Sequence, residues 1–309
     1  MIINTGSRTD IPAFFSKWFY NRIDEGFVMV RNPYCRNLIT RYRLSPDVVD
    51  AITFCTKNPF PMIKNLHKMA AFNQFWFVTI TPYGHDIEPH VPDKYQILQS
   101  VTALSEKVGK HSLAWRYDPV LISDKYTASY HLRAFEKIAG ILSGYVNFCV
   151  VSFIDLYEKT KRNFPQVREV TKEEQFFLTE KFVQTAQHFG IPVKLCCENS
   201  ELKQLGADTS GCMTKEILEK AIGYNLKLPK DKKPARTQCR CLLGDDIGEY
   251  NSCGHGCIYC YANYDNCMVQ RNMSLHDPNS PLLIGKRDKN DIVRDAVQVP
   301  FKDEQIRFF

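Results

Sequence analysis

Short runs of β-branched and aromatic residues recur through the first two hundred positions, with amphipathic stretches between several of them. The runs are Ile2-Ile3, Phe27 to Val30, Ala51 to Phe54, Phe75 to Ile80, Ala114-Trp115, Val146 to Phe153 and Val193 to Leu195. They are nearly continuous in apolar character, without strict alternation, which predicts strands covered on both faces as in a parallel sheet. Helices are predicted over Ser45 to Asp50, Pro61 to Met69, Ile97 to Val108, Tyr126 to Leu142 and Glu173 to Phe189. Ser45 stands ready to cap the first of these, with Pro46 at its first position. The last is the best punctuated: Thr171 caps it, Glu173 and Glu174 sit in its first turn, and Gly190 follows before Ile191-Pro192. Repeated βα units of this kind predict an α/β fold, a TIM-like (β/α) barrel, complete or partial.

Polar residues follow most of these strands. Arg8-Thr9-Asp10 comes after the first, Arg31-Asn32-Pro33 after the second, and Thr56-Lys57-Asn58-Pro59 after the third. Thr81-Pro82, Arg116-Tyr117-Asp118-Pro119, Asp155-Leu156-Tyr157 and Cys196-Cys197-Glu198-Asn199 continue the series. In a parallel barrel such positions converge on one rim, where different strand ends supply the functional groups. Arg8, Lys57 and Arg116 can grip a carboxylate or phosphate, Arg through a fork of donors and Lys as a point charge. Together with Asp118 they are the expected catalytic residues. Asp10 and Asp155 are expected to receive ammonium or hydroxyl groups of a bound cofactor. The structural alternative for each is an ion pair or a turn cap, to which Asp118 before Pro119 is well suited.

After Lys203 the strand–helix rhythm gives way to glycines and a basic run, Lys227 to Arg240, read as a solvated loop or a phosphate contact. This divides the chain into a barrel core, residues 1–203, and a cysteine-rich segment, residues 204–309, packed on it. The whole is 309 residues, 44 % hydrophobic and 24 % charged, with a net charge of +6. Such a composition excludes disorder for most of the chain and allows nucleic acid without indicating it. No signal peptide or membrane span is expected, so the chain is read as cytoplasmic. Phosphate-loop, dinucleotide and nucleophile-elbow motifs are missing, which leaves kinase, dehydrogenase and serine hydrolase readings without an anchor.

Six of the twelve cysteines lie between Cys239 and Cys267. Crowding of this kind in a chain large enough to need no staples points to metal in a reducing compartment. The densest stretch is Ser252-Cys253-Gly254-His255-Gly256-Cys257-Ile258-Tyr259-Cys260-Tyr261-Ala262. Its three thiols can wrap one face of a compact loop, and its glycines let the backbone approach inorganic atoms. Zinc would need a fourth ligand from His255, Cys267, Cys239 or Cys241. A cube held by three cysteines would leave one iron open to a small molecule.

Cys253-x3-Cys257-x2-Cys260, with Tyr259 before the last cysteine, resembles the signature of the radical S-adenosylmethionine superfamily. The resemblance implies a [4Fe-4S] cluster on these three cysteines, with S-adenosyl-L-methionine chelated to the fourth iron and Tyr259 beside the cofactor; His255, inside the loop, is expected to donate a hydrogen bond to a sulfide of the cofactor, to ligate zinc or to face solvent. It further implies reductive cleavage to a 5′-deoxyadenosyl radical, and an electron donor such as flavodoxin or ferredoxin. In usual members the motif follows the first strand, whereas here it comes after all of them. The barrel is then either permuted or completed by an appendage that brings the cluster to the rim. The alternative is a non-catalytic zinc- or iron-sulfur-stabilised binding module, with nucleic acid as one candidate partner.

Almost the whole chain resembles the family labelled domain of unknown function 1848. The resemblance rests on Ile3-Asn4-Thr5-Gly6-Ser7-Arg8-Thr9-Asp10-Ile11-Pro12, Phe54-Cys55-Thr56-Lys57-Asn58-Pro59, Trp115-Arg116-Tyr117-Asp118-Pro119, and Cys239-x-Cys241 through Asp245-Asp246-Ile247-Gly248 into the cluster motif. Arg116 to Pro119 and Cys257 to Tyr261 also look like parts of spore photoproduct lyase relatives, from which only the chemistry class carries over. Cys212, Cys239 and Cys241, with Cys196 or Cys197, are expected to hold an auxiliary iron-sulfur cluster; a disulfide or inert thiols are the alternatives. Cys35, Cys55 and Cys149, in or beside apolar runs, read as buried packing residues.

Overall fold

The computed structural model describes residues 1–228, 239, 241–242 and 244–303. Most of the basic run expected to contact solvent or phosphate lies outside these residues. Ten strands and nine α-helices are assigned among them. The strands are β1 (Ile2–Asn4), β2 (Phe27–Arg31), β3 (Leu38–Arg43), β4 (Ala51–Thr56), β5 (Gln74–Thr79), β6 (Leu113–Val120), β7 (Cys149–Phe153), β8 (Val193–Leu195), β9 (Asp245–Asp246) and β10 (Ile292–Asp295). The helices are α1 (Ile11–Phe14), α2 (Ser16–Glu25), α3 (Phe60–Ile63), α4 (Lys94–Val108), α5 (Ala128–Leu142), α6 (Glu158–Asn163), α7 (Lys172–His188), α8 (Lys215–Ile222) and α9 (Asn266–Ser274).

Seven strands form one parallel sheet in the order β8-β7-β6-β5-β4-β1-β9. Side chains along its strands divide between two apolar cores, as the period of two requires. Ile3, Ile52, Phe54, Trp76, Val78, Trp115 and Val151 point to one face, against α2, α4, α5 and α7. Ile2, Phe75, Phe77, Ala114, Phe148 and Val150 point to the other, where Cys212, Met213, Leu218, Leu226 and Leu242 of the C-terminal third cover them. Burial on both faces explains why these strands read as unbroken apolar runs. All C-terminal strand ends of a parallel sheet share one edge, and the polar sequences that follow β1, β4, β5, β6, β7 and β8 meet there.

Three expectations need correction. Phe27 to Val30 is a strand, but it belongs to a second sheet, β10-β3-β2, pairing antiparallel with β3. The partner β3, Leu38-Ile39-Thr40-Arg41-Tyr42-Arg43, buries Ile39 and exposes its arginines, a half-solvated alternation with little apolar signal. Ser45 to Asp50 is not a helix. Val48 and Val49 both donate to the Ser45 carbonyl, at 3.1 and 3.0 Å, and the single turn then feeds β4 at Ala51. Pro61 to Met69 splits at Asn65 into α3 and a 3₁₀ turn, Leu66–Met69. The best-punctuated helix forms as expected: α7 carries a complete capping box between Thr171 and Glu174.

Candidate functional site

The chain after β1 turns across β4 at Gly6. A Cβ there would stand 2.5 Å from the Cys55 carbonyl and 2.8 Å from its amide nitrogen, so only glycine allows the approach. The turn delivers Asp10 to the start of α1, where one carboxylate oxygen accepts from the Ala13 amide at 3.0 Å. The other accepts from the Lys57 amide at 2.8 Å and faces His255 Nε2 at 2.8 Å. Asp10 therefore ties together the ends of β1 and β4 and the cysteine loop. Both its oxygens are engaged with the protein itself.

Beyond β5 the chain runs through His85-Asp86-Ile87-Glu88-Pro89-His90, and this loop is the second mooring of the cysteine segment. The His90 amide donates to the His255 carbonyl at 3.0 Å, and the Ile258 amide donates to the Ile87 carbonyl at 3.1 Å. Gly256 passes His90 with φ +69, a left-handed conformation suited to glycine. Glu88, 1 % exposed, accepts from Lys57 Nζ at 2.7 Å, from Thr81 Oγ1 at 2.7 Å, and from Lys94 and the Tyr259 hydroxyl. Burial alone would raise its carboxyl, but Lys57 and Lys94 outweigh that and hold it down at about 2. Lys57 in turn lies 5.7 Å from the centre of the Tyr259 ring.

Cys253, Cys257 and Cys260 are half-buried in this loop. Burial pushes the Cys257 thiol up to about 12 against the pull of Lys57, and it raises Cys253 as well, with Asp10 adding to the rise. The Ala262 amide donates to Cys260 Sγ at 3.3 Å. Tyr261 reaches back to the Ser7 carbonyl at 2.8 Å. Among the described residues, five buried side-chain polar atoms have no partner, and three of them, Thr9 Oγ1, His255 Nδ1 and Asn263 Oδ1, belong to the segments that meet here. His255 is 3 % exposed, so it does not face solvent.

The remaining expected residues divide between the neighbourhood of this loop and other places. Arg116 donates to Asp118 through Nε at 3.1 Å and through Nη2, and Asp118 also accepts from Ser152. Cys55, Cys196 and Cys212 act on the same guanidinium electrostatically, and with Asp118 they raise its pKa. The Asp118–Pro119 bond is cis, within β6. Arg8 turns away toward the second sheet. It donates to the Gly248 carbonyl at 3.3 Å, pairs with Asp246 at 3.7 Å and helps line a cleft of about 90 Å³ with Val30, Arg31 and Tyr42. Asp155 is exposed and accepts from the Tyr157 hydroxyl at 3.2 Å.

On the second face of the sheet, Cys212 Sγ lies 3.8 Å from Cys196 Sγ and 3.2 Å from Cys241 Sγ. Hydrogen bonding to Cys212 pulls Cys196 and Cys241 down and raises Cys212 itself. Cys197 adopts φ 60 as the chain leaves β8. Cys35 is exposed, which corrects its reading as a packing residue; its loop is closed by Asn32 rather than by burial. Cys149 is fully buried and Cys267 is exposed on α9.

Two residues escaped the sequence reading. Glu88 lies in a loop without motif or period, and only its place after a strand could have marked it. Glu198, in the polar stretch after β8, has no sequence feature that marks its environment. It accepts from the Phe153 amide at 2.7 Å, and burial, with Asp155 and Asp118 nearby, raises its carboxyl to about 8.

A parallel α/β sheet with buried charges and cysteine-bearing segments gathered at its strand ends defines the class of protein. The chain belongs to the family described as domain of unknown function (DUF1848), whose model matches residues 2–262. A search of curated proteins found no match. Among the described residues, no helix is long and apolar enough to cross a membrane.

Proposed function

We propose that this chain is a radical S-adenosylmethionine enzyme with a [4Fe-4S] cluster on Cys253, Cys257 and Cys260, its sheet a partial TIM-like barrel. The observation that carries the reading is the mooring of the 253–260 loop on the C-terminal strand edge by Asp10, Glu88 and the 87–90 backbone. A zinc knuckle that only stabilised a tail would have no need of buried charges from three successive strand ends. The donor set also fits the group: three thiols on a loop whose glycines permit close backbone approach, an amide already directed at Cys260, and an unpaired buried imidazole nitrogen. Held by Cys253, Cys257 and Cys260, a [4Fe-4S] cluster would supply the one-electron chemistry that cleaves the sulfonium of S-adenosylmethionine and so makes hydrogen-atom abstraction from substrate accessible.

The protein's own part is electrostatic and positional. Lys57 beside Cys257 favours the thiolate over the thiol, and Glu88 keeps Lys57 in place and charged. With Nε2 committed to Asp10, His255 keeps Nδ1 for a partner that the described side chains do not supply. Arg116, steadied by Asp118, offers its remaining donors to an anionic group of substrate or cofactor, and flavodoxin or ferredoxin would deliver the electron.

The anaerobically reconstituted protein, given dithionite and S-adenosylmethionine, is expected to release methionine and 5′-deoxyadenosine in equal amounts. Cys257→Ser should abolish that release. A fully loaded protein that cleaves nothing would return the chain to the alternative, a metal-stabilised binding module.

A further inference from the structure

We infer that Cys196, Cys212, Cys239 and Cys241 form a second metal site, which binds a single zinc ion in a shell of four thiolates. The inference does not rest on the proposed radical chemistry, because none of these residues belongs to the 253–260 loop. The four come from three separate stretches: the end of β8, the approach to α8, and the segment before β9. Cys212 Sγ touches Cys196 Sγ at 3.8 Å and Cys241 Sγ at 3.2 Å, and Cys239, two positions before Cys241, is buried in the same cluster. Zinc–sulfur bonds of about 2.3 Å at tetrahedral angles put sulfurs roughly 3.8 Å apart. Thiolates on different irons of a cube stand further from one another, so this spacing suits one ion better than the auxiliary cluster expected from the sequence.

Cysteines serving only as small hydrophobes have no reason to turn their sulfurs toward one another from three stretches of chain. Cys212, Cys239 and Cys241 are 5, 8 and 9 % exposed, so the group is largely shielded from water. Four thiolates around a divalent ion leave two negative charges in that buried place. The Arg116 guanidinium, within electrostatic reach of Cys196 and Cys212, offsets part of them. Among the described residues, no three His, Cys, Asp or Glu side chains already surround one ion position. The thiols stand instead as a hydrogen-bonded chain, and binding exchanges their protons for the ion. The structural consequence is that zinc clamps the segment covering the second face, with Met213, Leu218 and Leu226, to the end of β8.

The test uses the full-length chain carrying Cys253→Ser, Cys257→Ser and Cys260→Ser, purified under reductant, so that failure of the radical reading leaves it untouched. About one zinc per chain is expected, with X-ray absorption reporting four sulfur neighbours and cobalt substitution giving a tetrahedral thiolate spectrum. Adding Cys212→Ser should remove that spectrum, whereas adding Cys149→Ser should leave it unchanged. Because Cys212→Ser is buried, the X-ray absorption of the unaltered site decides the matter even if that variant fails to fold. A chain without zinc, zinc with mixed nitrogen and oxygen neighbours, an iron-sulfur chromophore on these thiols, or a Cys212–Cys241 disulfide under reductant would each overturn the assignment.

Discussion

Among single residues the site turns on Glu88, a buried carboxylate that serves Lys57, Lys94, Thr81 and Tyr259 at once. Its carboxyl is held at about 2 in the folded protein, against an ordinary 4.5. A depressed carboxylate contributes stability that is fully present above the ordinary value and is lost as pH falls toward the folded one. The contribution is about 3 kcal/mol. Between pH 5 and pH 2 the wild-type protein should therefore lose about 3 kcal/mol more unfolding free energy in urea than Glu88→Gln does; equal losses would show that the carboxylate is not charged there. Lys57, Arg116 and Asp118 were legible because they follow apolar runs directly, and His255 because it sits inside the cysteine motif. Glu88 was not, since nothing in its loop distinguishes a carboxylate that Lys57, from another strand end, and Lys94 will together neutralise.

Among elements, the parallel strands were legible because burial on both faces writes itself as an unbroken apolar run, and α7 because its cap and stop are both present. The second sheet was hidden by its exposure: β3 alternates, and β10 keeps Arg294 and Asp295 toward solvent. The turn at Ser45 had a cap and a proline but only a few residues before β4 began, and capping chemistry does not distinguish one turn from a helix. Where the β1 end crosses β4, sequence showed a glycine without its reason. Gly6→Ala would force backbone apart at Cys55, costing about 1–3 kcal/mol. It should also lower iron loading of the 253–260 loop, because Asp10 follows on the same turn. Denaturant midpoint and iron content together check this, and an unchanged midpoint would show that the approach is looser than described.

For the molecule as a whole, the C-terminal third is woven into the rest rather than appended to it. It supplies β9 to the edge of the large sheet beside β1 and β10 to the small sheet beside β3, and it covers the second face of the large sheet. Asp50, just before β4, accepts from the Phe301 and Lys302 amides at 2.7 and 3.1 Å. This weaving resolves how a cysteine motif placed after nine strands in sequence reaches the ends of the first ones in space, which the order of the chain alone did not reveal. The cluster proposed for the loop would have one iron open to S-adenosylmethionine. Electron paramagnetic resonance of the reconstituted, dithionite-reduced protein tests it most directly, recorded with and without S-adenosylmethionine. A reduced [4Fe-4S] signal that shifts on addition is the predicted result; a signal indifferent to it, or no cluster at all, would contradict the account.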